Sequence, residues 1–316
     1  MKKVRVAVVG VGYLGRFHAE KYAAMPDVEL VAVVDPDHAR ASVIADKLHT
    51  QVLDDLDRLS GLVDAASVVV PTVHHHRIAK QLLEQGIHIL IEKPITVTLE
   101  QADQLIDMAA RKGLVLQVGH IERFSPAVTA VKPLLRSPRY MTAERAAPFT
   151  VRCTDVNVVL DLMIHDLDIV MDIAGSAPKE ISAAGVSIIT NEIDTATARI
   201  IFHNGCIADV SASRVSDEKK RLLRVYDEGA VYTSDFQLQK AKVGRWGVGA
   251  VPELVSQDLE TTKCDTLNEE IRAFVLSVQN GTKPIVSGAD GKRALALALT
   301  ITENINKGIS GFVPVK

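Results

Sequence analysis

A stretch near the amino terminus, where an apolar run meets three spaced glycines, constrains the fold most. Val4–Val9 is apolar except at Arg5, and Gly10, Gly12 and Gly15 follow it in a G-x-G-x-x-G pattern. The first glycine permits a sharp turn, the second lets a phosphate approach the backbone, and the third lets a helix pack on the strand. We therefore predict a strand, a tight turn and a helix start, with a dinucleotide phosphate at the helix N-terminus.

The residues that follow strengthen the dinucleotide interpretation. A helix is predicted from Tyr13 to Met25, and a second apolar run, Leu30–Val34, ends at Asp35. Asp35 lies 20 residues after Gly15. Dinucleotide-binding folds place the carboxylate that bonds the adenosine ribose about this many residues after the last glycine. Such a carboxylate favours NAD and repels the extra phosphate of NADP, although Arg40 leaves NADP open. The residues predicted to bind the cofactor here are Gly10, Gly12, Tyr13, Leu14, Gly15 and Asp35.

Short apolar runs and amphipathic helices alternate as far as about Gly119. Further strands are predicted at Ala66–Val70, His88–Ile91 and Val115–Val118, and Leu99–Lys112 has the period of a helix. Such alternation is typical of parallel βαβ units. Residues 1–120 are therefore predicted to form an α/β Rossmann domain with a parallel sheet.

The pattern changes after residue 120, and residues 121–316 are predicted to form a second domain. Its Ile181–Leu238 region is rich in strands separated by turns, which indicates an open, mostly antiparallel sheet in an α+β domain. Ala241–Thr262 has no clear period and is interpreted as a long loop or an ordered surface connection. Four helices are predicted in this half, at Phe124–Leu135, Asn157–Ile173, Leu267–Gln279 and Ala289–Asn306. Packing of the carboxyl-terminal segment against the first domain is compatible with this prediction.

Size and composition agree with a two-domain globular protein. The chain has 316 residues, of which 47% are apolar and 24% charged. A net charge of -3 without a basic tract argues against nucleic acid and anionic membranes as partners. No apolar segment approaches the roughly 20 residues that span a bilayer, so a cytoplasmic location is expected. Cys153, Cys206 and Cys264 are far apart and predict neither a disulfide nor a zinc site.

Three adjacent histidines, His74, His75 and His76, follow the third apolar run. They suggest a metal site, but neighbouring side chains point in different directions, and no carboxylate or cysteine lies at ligand spacing. We therefore predict no metal. One of the three histidines is expected at the edge of the cofactor, and the other two are expected to be solvated.

Glu92, Lys93 and Pro94 follow the fourth apolar run. In a parallel sheet this strand end lies where the nicotinamide of a dinucleotide is expected. An ammonium there can bond a substrate hydroxyl and stabilise its alkoxide character. Ordinary solvation of Lys93 is the alternative, and these three residues alone do not decide between the two interpretations.

Asp161, His165 and Asp168 fall at i, i+4 and i+7 of a predicted helix that is otherwise apolar. They are expected to form one polar stripe that faces a polar cleft or a paired network, because burial without partners is costly. Histidine is the natural proton acceptor for a hydroxyl that loses hydride, and a carboxylate one turn away orients its ring. A set of structural salt bridges is the alternative, and Asp166 is predicted to be structural.

These motifs together resemble the Gfo/Idh/MocA oxidoreductase family over essentially the whole chain. The resemblance rests on Gly10-x-Gly12-x-x-Gly15, Pro71 with His75, Glu92-Lys93-Pro94 and Asp161-x-x-x-His165. It implies a Rossmann domain and an α+β domain whose open sheet shields the active site and often makes oligomer contacts, so a homo-oligomer is expected. It also implies that Lys93, Asp161 and His165 are catalytic and that His75 lies near the nicotinamide ribose. The further cofactor-binding residues implied are Pro71, Thr72, Glu92 and Lys93.

The segments Gly119–Pro126 and Asp161–Asp168 are similar to a narrower branch of the family. That branch oxidises the 3-hydroxyl of UDP-N-acetylglucosamine or its uronic acid, which implies a role in lipopolysaccharide biosynthesis. Arg123 suits a phosphate or carboxylate of the substrate, and an ordinary salt bridge is equally open. The substrate-binding residues implied are Lys93, His120, Glu122, Arg123, Asp161 and His165.

The leading hypothesis is therefore NAD-dependent oxidation of a sugar hydroxyl, at C3 of a UDP-N-acetylglucosamine-type nucleotide sugar. Lys93 and His165 could share the hydroxyl proton, and the sequence does not separate a coupled pair. One alternative is a dehydrogenase of a free sugar or cyclitol, because the core motifs do not encode the substrate. A second alternative is a regulator that binds NAD(P) without turnover.

Overall fold

The structure is a computed structural model that describes residues 3–150, 156–247 and 253–309. The chain divides into two compact units, each built from two stretches. The first comprises Met1–Ile121 and Asp265–Arg293, and the second comprises Glu122–Cys264 and Ala294–Lys316. A segment near the carboxyl terminus therefore belongs to the unit that contains the glycine-rich turn. Cys153 and the 248–252 part of the predicted loop lie outside the described residues.

Six strands form the sheet of the first unit. They are β1 (Val4–Val9), β2 (Val28–Val34), β3 (Gln51–Val52), β4 (Ala65–Val68), β5 (His88–Glu92) and β6 (Leu116–Gly119). All neighbours pair in parallel, in the spatial order β3-β2-β1-β4-β5-β6. This confirms the predicted Rossmann sheet. The order switches direction between β1 and β4, and open sheets of this kind bind ligands beyond the carboxyl ends of the strands at that point.

Helices alternate with these strands, as predicted. They are α1 (Gly15–Ala24), α2 (His38–Leu48), α3 (His75–Glu84) and α4 (Leu99–Lys112). The bounds of α4 match the prediction because the sequence carries a capping signal at each end of the helix. Thr98 and Gln101 form a capping box, and Gly113 ends the helix in the left-handed conformation. The first helix begins at Gly15, since the predicted start at Tyr13 lies in the glycine-rich turn.

The predicted helix Phe124–Leu135 is wrong. The chain instead makes a 3-10 turn at Ile121–Phe124, the single helical turn α5 (Pro126–Thr129) and a further 3-10 turn at Lys132–Leu134. Pro126 and Pro133 cause the interruptions, because proline has no backbone N–H and its ring clashes with the preceding turn. The apolar residues of this stretch therefore pack without a continuous helix.

The next predicted helix is present, but it is not a regular α-helix throughout. Its first part, Val159–Met163, is a π-helical turn, and α6 (Ile164–Ala174) continues from it. A π-helical turn contains more residues than an α-helical turn, so side chains before Ile164 are rotated relative to those after it. The i, i+4, i+7 spacing therefore does not by itself place Asp161 on the same face as His165 and Asp168.

Eight strands form the sheet of the second unit. They are β7 (Tyr140–Ala146), β8 (Pro178–Val186), β9 (Thr195–Phe202), β10 (Ile207–Ser213), β11 (Lys220–Asp227), β12 (Ala230–Asp235), β13 (Lys240–Trp246) and β14 (Leu254–Leu259). Their order is β14-β13-β12-β11-β7-β10-β9-β8, and only β7 and β10 pair in parallel among these strands. This confirms the predicted, mostly antiparallel sheet.

The interpretation of Ala241–Thr262 as a long loop is wrong where the structure describes it. β13 pairs with β12 and with β14, so the stretch contributes two strands at the edge of the sheet. Ala241 and Val243 alternate with exposed lysines and are buried. That alternation is the strand signal, and the neighbouring glycines obscured it.

Two helices close the described chain, α7 (Thr266–Asn280) and α8 (Gly288–Ile309). On α7, Leu267, Ile271, Phe274 and Val275 join the core of the first unit together with residues of β1 and α1. The later residues of α8 join the core of the second unit. Among the described helices, none is both long and apolar enough to span a bilayer.

Candidate active site

A cavity of about 790 Å³ opens at the carboxyl ends of the central strands of the first unit. Four of the predicted cofactor-binding residues line it, namely Gly10, Gly12, Asp35 and Pro71. Arg40, His74 and Arg77 also line it. His74 is one of the three histidines of which one was expected at the edge of the cofactor, whereas Arg77 was not predicted. The cavity lies where the strand order switches direction, which is the ligand site of doubly wound sheets.

The three glycines of the turn are required for different structural reasons. A Cβ on Gly10, whose φ is +88°, would lie 2.3 Å from the carbonyl oxygen of Val69. A Cβ on Gly15 would lie 1.8 Å from the carbonyl oxygen of Gly10. A Cβ on Gly12 would meet no atom within 4 Å. Gly10 and Gly15 are therefore required by packing, whereas Gly12 borders open space of the kind that a pyrophosphate needs.

Asp35 is held at the end of β2 by three donors. The backbone N–H of Val11 donates to Oδ2 at 2.8 Å, and the N–H of Asp37 and the guanidinium of Arg40 donate to Oδ1 at 2.9 and 3.0 Å. A carboxylate oxygen has two lone pairs, so Oδ2 keeps one for a ribose hydroxyl. The open space at Gly12 and the acceptor on Asp35 thus fit the pyrophosphate and the ribose of an adenine dinucleotide.

The other predicted cofactor residues near the turn are placed at its rim. Tyr13 and Leu14 are exposed, and the ring of Tyr13 packs edge-on against Phe17. Thr72 begins a 3-10 turn after Pro71. Their cofactor contacts stay predictions.

The three adjacent histidines have separate environments. His74 lines the cavity, and His76 bonds the side chain of Gln104 at 2.8 Å. His75 is buried, and its two ring nitrogens each lie 2.9 Å from a backbone carbonyl oxygen, that of Pro94 and that of Val70. These internal contacts give no support to its predicted position near the nicotinamide ribose. Within the described ranges, no group of three or more His, Cys, Asp or Glu side chains is arranged to hold a metal ion.

Lys93 lies at the end of β5, between two residues whose positions are fixed by other side chains. The carboxylate of Glu92 lies 3.2 Å from His18 Nε2 and accepts from the backbone N–H of Lys93. Burial acts to raise the pKa of Glu92, but the hydrogen bond with His18 and the charge of Lys93 lower it. The contacts found for Glu92 are thus internal, and they give no support to its predicted contact with the cofactor.

The sequence reasoning missed His18, although a signal existed. Gly15, His18, Ala19 and Tyr22 are the buried residues of α1 and follow helical spacing. A histidine on such a face needs polar partners, because an unpaired buried imidazole is costly.

The predicted polar stripe of the second unit is divided. Asp161 in the π-helical turn and His165 in α6 are partly exposed, whereas Asp168 is buried. Asp168 accepts two hydrogen bonds from Arg123, at 2.5 and 3.1 Å. Asp168 therefore lies in a paired network, which is one of the two environments expected for the stripe, and of the three residues only Asp161 and His165 are partly exposed.

Arg123 has the salt-bridge role that the sequence had left open. Its guanidinium pairs with Asp168 and also with Asp172, and the side chain is nearly fully buried. Glu122 is likewise engaged, because Arg145 donates to it at 2.8 Å and to Asp166 through two nitrogens. These contacts hold α6 to the neighbouring segments and favour structural roles for Glu122 and Arg123.

His120, the remaining predicted substrate residue, is buried directly after β6. Asp166 is structural, as predicted. The substrate contacts proposed for His120, Glu122 and Arg123 stay predictions. Lys93 belongs to the first unit, and Asp161 and His165 belong to the second.

A parallel sheet with a glycine-rich turn and an acidic strand end defines a dinucleotide-binding protein of the Rossmann class. Residues 4–120 match the family described as "Oxidoreductase family, NAD-binding Rossmann fold", and residues 136–232 match the "GFO/IDH/MocA C-terminal domain". The chain therefore belongs to the Gfo/Idh/MocA family of NAD-binding oxidoreductases, which confirms the predicted family, enzyme class and cofactor.

Named relatives extend over nearly the full length. The chain is 38% identical to a UDP-N-acetylglucosamine 3-dehydrogenase of Acidithiobacillus ferrooxidans, over 95% of this chain and 97% of the relative. A solved structure of that enzyme matches with a TM-score of 0.92, covering 97% and 99% of the two chains. The chain is 28% identical to a scyllo-inositol 2-dehydrogenase (NAD(+)) of Bacillus subtilis, over 99% and 97% of the two chains.

Proposed function

We propose that this enzyme oxidises the C3 hydroxyl of UDP-N-acetylglucosamine, or of a closely related nucleotide sugar, to a ketone with NAD. The observation that carries the proposal is the 38% identity, over nearly both full chains, to a relative named for that reaction. The inositol dehydrogenases share less sequence with this chain, so a free cyclitol is the second candidate.

The cofactor fits the first unit by the geometry of the turn. Gly10, Gly12 and Gly15 would place the pyrophosphate at the start of α1, and Asp35 would accept a hydrogen bond from the adenosine ribose. When bound, NAD accepts the hydride that leaves the sugar carbon. Pro71 and His74 at the cavity rim would contact its ribose or phosphate groups.

The protein supplies the proton chemistry in this proposal. Lys93 donates a hydrogen bond to the substrate oxygen and stabilises the negative charge that develops there. His165 takes the hydroxyl proton, and Asp161 orients the imidazole and stabilises its charged form. The carbon–hydrogen bond and the oxygen–hydrogen bond break, a carbon–oxygen double bond forms, and one proton is released.

The direct test is spectroscopic. The purified enzyme, mixed with NAD and UDP-N-acetylglucosamine, should develop the absorbance of reduced nicotinamide, with hydroxylamine present to trap the ketone. Lys93→Ala should lower kcat roughly 10²- to 10³-fold, because the developing negative charge loses its hydrogen-bond donor. Lys80→Ala, a change of a partly exposed lysine on α3, is the matched control and should keep full activity.

The same assay separates the alternatives. Turnover of inositols or free hexoses, with none of UDP-sugars, would select the cyclitol candidate. Binding of NAD without turnover of any candidate would select the regulator. Equal rates for Lys93→Ala and the parent enzyme would show that the catalytic assignment is wrong.

We also propose three finer points on the strength of the family and branch resemblance. The enzyme assembles as a homo-oligomer, a dimer or a tetramer. It acts in the cytoplasm, where NAD is available. Its ketone product serves lipopolysaccharide biosynthesis through an aminotransferase that installs a 3-amino group.

A further inference from the structure

Two buried histidines hold the residues on either side of Lys93. His18 on α1 contacts Glu92, which precedes the lysine, and His75 on α3 contacts Pro94, which follows it. Their exposed fractions are 0% and 1%. Both lie within the first unit, and neither has a role in the mechanism proposed above.

The contacts on the Glu92 side form a directional chain of hydrogen bonds. Tyr22 Oη lies 2.8 Å from Ser67 Oγ, Ser67 Oγ lies 3.2 Å from His18 Nδ1, and His18 Nε2 lies 3.2 Å from Glu92 Oε1. With a neutral imidazole, Tyr22 donates to Ser67, Ser67 to Nδ1, and Nε2–H to the carboxylate, so every donor meets an acceptor. Burial raises the pKa of Tyr22 and keeps its phenol protonated. The carboxylate of Glu92 is thus fixed by a chain of side chains from two elements, α1 and β4.

The backbone around Glu92 also fits this arrangement. A Cβ on Gly119 would lie 2.9 Å from the carboxylate atoms of Glu92. Only glycine at the end of β6 leaves room for the carboxylate in the position that His18 holds.

The contacts on the Pro94 side join two strand ends. His75 Nδ1 lies 2.9 Å from the carbonyl oxygen of Pro94, and Nε2 lies 2.9 Å from the carbonyl oxygen of Val70. Burial lowers the pKa of His75, while the two carbonyls and the charge of Glu92 act in the opposite direction. A neutral ring donates to one of the two carbonyls at a time, and both contacts tie the turn after β5 to the segment after β4.

We infer that His18 and His75 are positioning residues that fix Lys93, His18 through the carboxylate of Glu92 and His75 through the carbonyl of Pro94. This inference rests on the proposed role of Lys93. A lysine side chain is long and flexible, so its reach is set by where its backbone is held. Displacement of a reacting group by about 1 Å can cost a factor of about 100 in rate.

Matched substitutions test each contact separately. The amide of asparagine reaches about as far as Nδ1 of histidine, and the amide of glutamine about as far as Nε2. His18→Gln therefore keeps a donor for Glu92, and His18→Asn does not. His75→Asn keeps a donor for Pro94, and His75→Gln keeps only the contact with Val70.

We expect kcat to fall roughly 10- to 100-fold in His18→Asn and His75→Gln. The KM for the nucleotide sugar and the affinity for NAD should stay within about twofold of the parent values, since these variants leave the cofactor cavity intact. His18→Gln and His75→Asn should recover most of kcat. An equal fall in kcat for both variants of a pair would overturn the inference. A rise in KM with kcat unchanged would also overturn it.

A second measurement separates this inference from the proposed function. Failure of the parent enzyme to oxidise any UDP-sugar would contradict the function, and hydrogen exchange of residues 88–98 then tests the contacts directly. Exchange should be faster in His18→Asn and His75→Gln than in their partner variants. Equal exchange in all four variants would overturn the positioning role.

Discussion

Two carboxyl groups of the first unit have pKa values that are shifted in opposite directions. Glu92 has partners, and its pKa is lowered. Glu270 on α7 is fully buried, and neither of its carboxyl oxygens has a hydrogen-bond partner among the described residues. Burial and the nearby charge of Glu92 raise the pKa of Glu270 well above its usual value. Burial thus favours the protonated form of Glu270.

Glu270→Gln should make the free energy of unfolding less dependent on pH. The folded protein retains the Glu270 proton above pH 4.5, where the unfolded chain loses it, so stability falls as pH rises toward the folded pKa. Glutamine cannot ionise, and its advantage over the parent should grow by about 1.4 kcal/mol per pH unit in that window. Urea unfolding at several pH values between 5 and about 8 measures this.

The neighbouring Glu269 provides the control for that experiment. It is exposed on the same helix, so Glu269→Gln should leave the pH dependence unchanged. A parent protein whose free energy of unfolding changes with pH in the same way as that of the Glu270→Gln variant would contradict the raised pKa of Glu270.

At the scale of elements, two glycines in the connection between β1 and α1 have different roles: Gly15 is needed for packing and Gly12 for cofactor binding. Gly15→Ala should destabilise the fold by about 1–3 kcal/mol or more, because the added methyl overlaps the carbonyl of Gly10. Gly12→Ala should leave the thermal midpoint unchanged and raise the dissociation constant for NAD at least about tenfold, since only the ligand approaches that position. Calorimetry and fluorescence titration give the two quantities. Equal loss of stability in both variants would contradict the assignment.

The helix that carries His165 is held by buried guanidinium groups. Arg145 bonds Asp166 through two nitrogens and is 3% exposed. Arg145→Met should therefore destabilise the second unit by about 3–5 kcal/mol, because Asp166 keeps a buried charge without its partner. Thermal or urea unfolding measures the loss.

An exposed pair of the same geometry supplies the comparison. Arg199 also bonds Asp209 through two nitrogens, at 2.7 Å each, but its side chain is 61% exposed. Arg199→Met should have a much smaller effect, since water solvates the carboxylate that remains. Similar losses in the two variants would show that burial does not decide the strength of these contacts.

Local signals explain which elements were predictable. β1 and α4 were predicted with their final bounds, because neighbouring residues carry the signals. For β1 the signal is an apolar run, and for α4 it is a capping residue at each end. The prediction of a helix at Phe124–Leu135 was wrong because it followed the apolar period and neglected Pro126 and Pro133, which prevent a continuous helix. β13 and β14 were missed because their pairing joins residues across a stretch rich in glycine.

The site was predictable where a motif fixes the backbone and not where tertiary contacts decide. Gly10, Gly12, Asp35 and Pro71 line one cavity, as the G-x-G-x-x-G pattern and the strand ends indicated. The pairing of Arg123 with Asp168 joins residues that are 45 positions apart. No spacing rule distinguishes such a pair from a substrate contact, and the sequence had left both open.

At the scale of the whole molecule, the chain combines a parallel and an antiparallel unit, and its relatives share both along nearly their full length. The proposed homo-oligomer should appear in light scattering as a mass of two or four times that of one chain. The mass should not fall on dilution through the concentration range of the activity assay. A mass of a single chain under assay conditions would contradict it.

The central claim is that this enzyme removes hydrogen from C3 of UDP-N-acetylglucosamine and delivers it to NAD. The most direct measurement uses UDP-N-acetylglucosamine that carries deuterium only at C3, with mass spectrometry of the reduced cofactor. The account predicts that the reduced nicotinamide gains one deuterium and that the sugar loses it. Reduced cofactor without deuterium, or no reduced cofactor at all, would contradict the account.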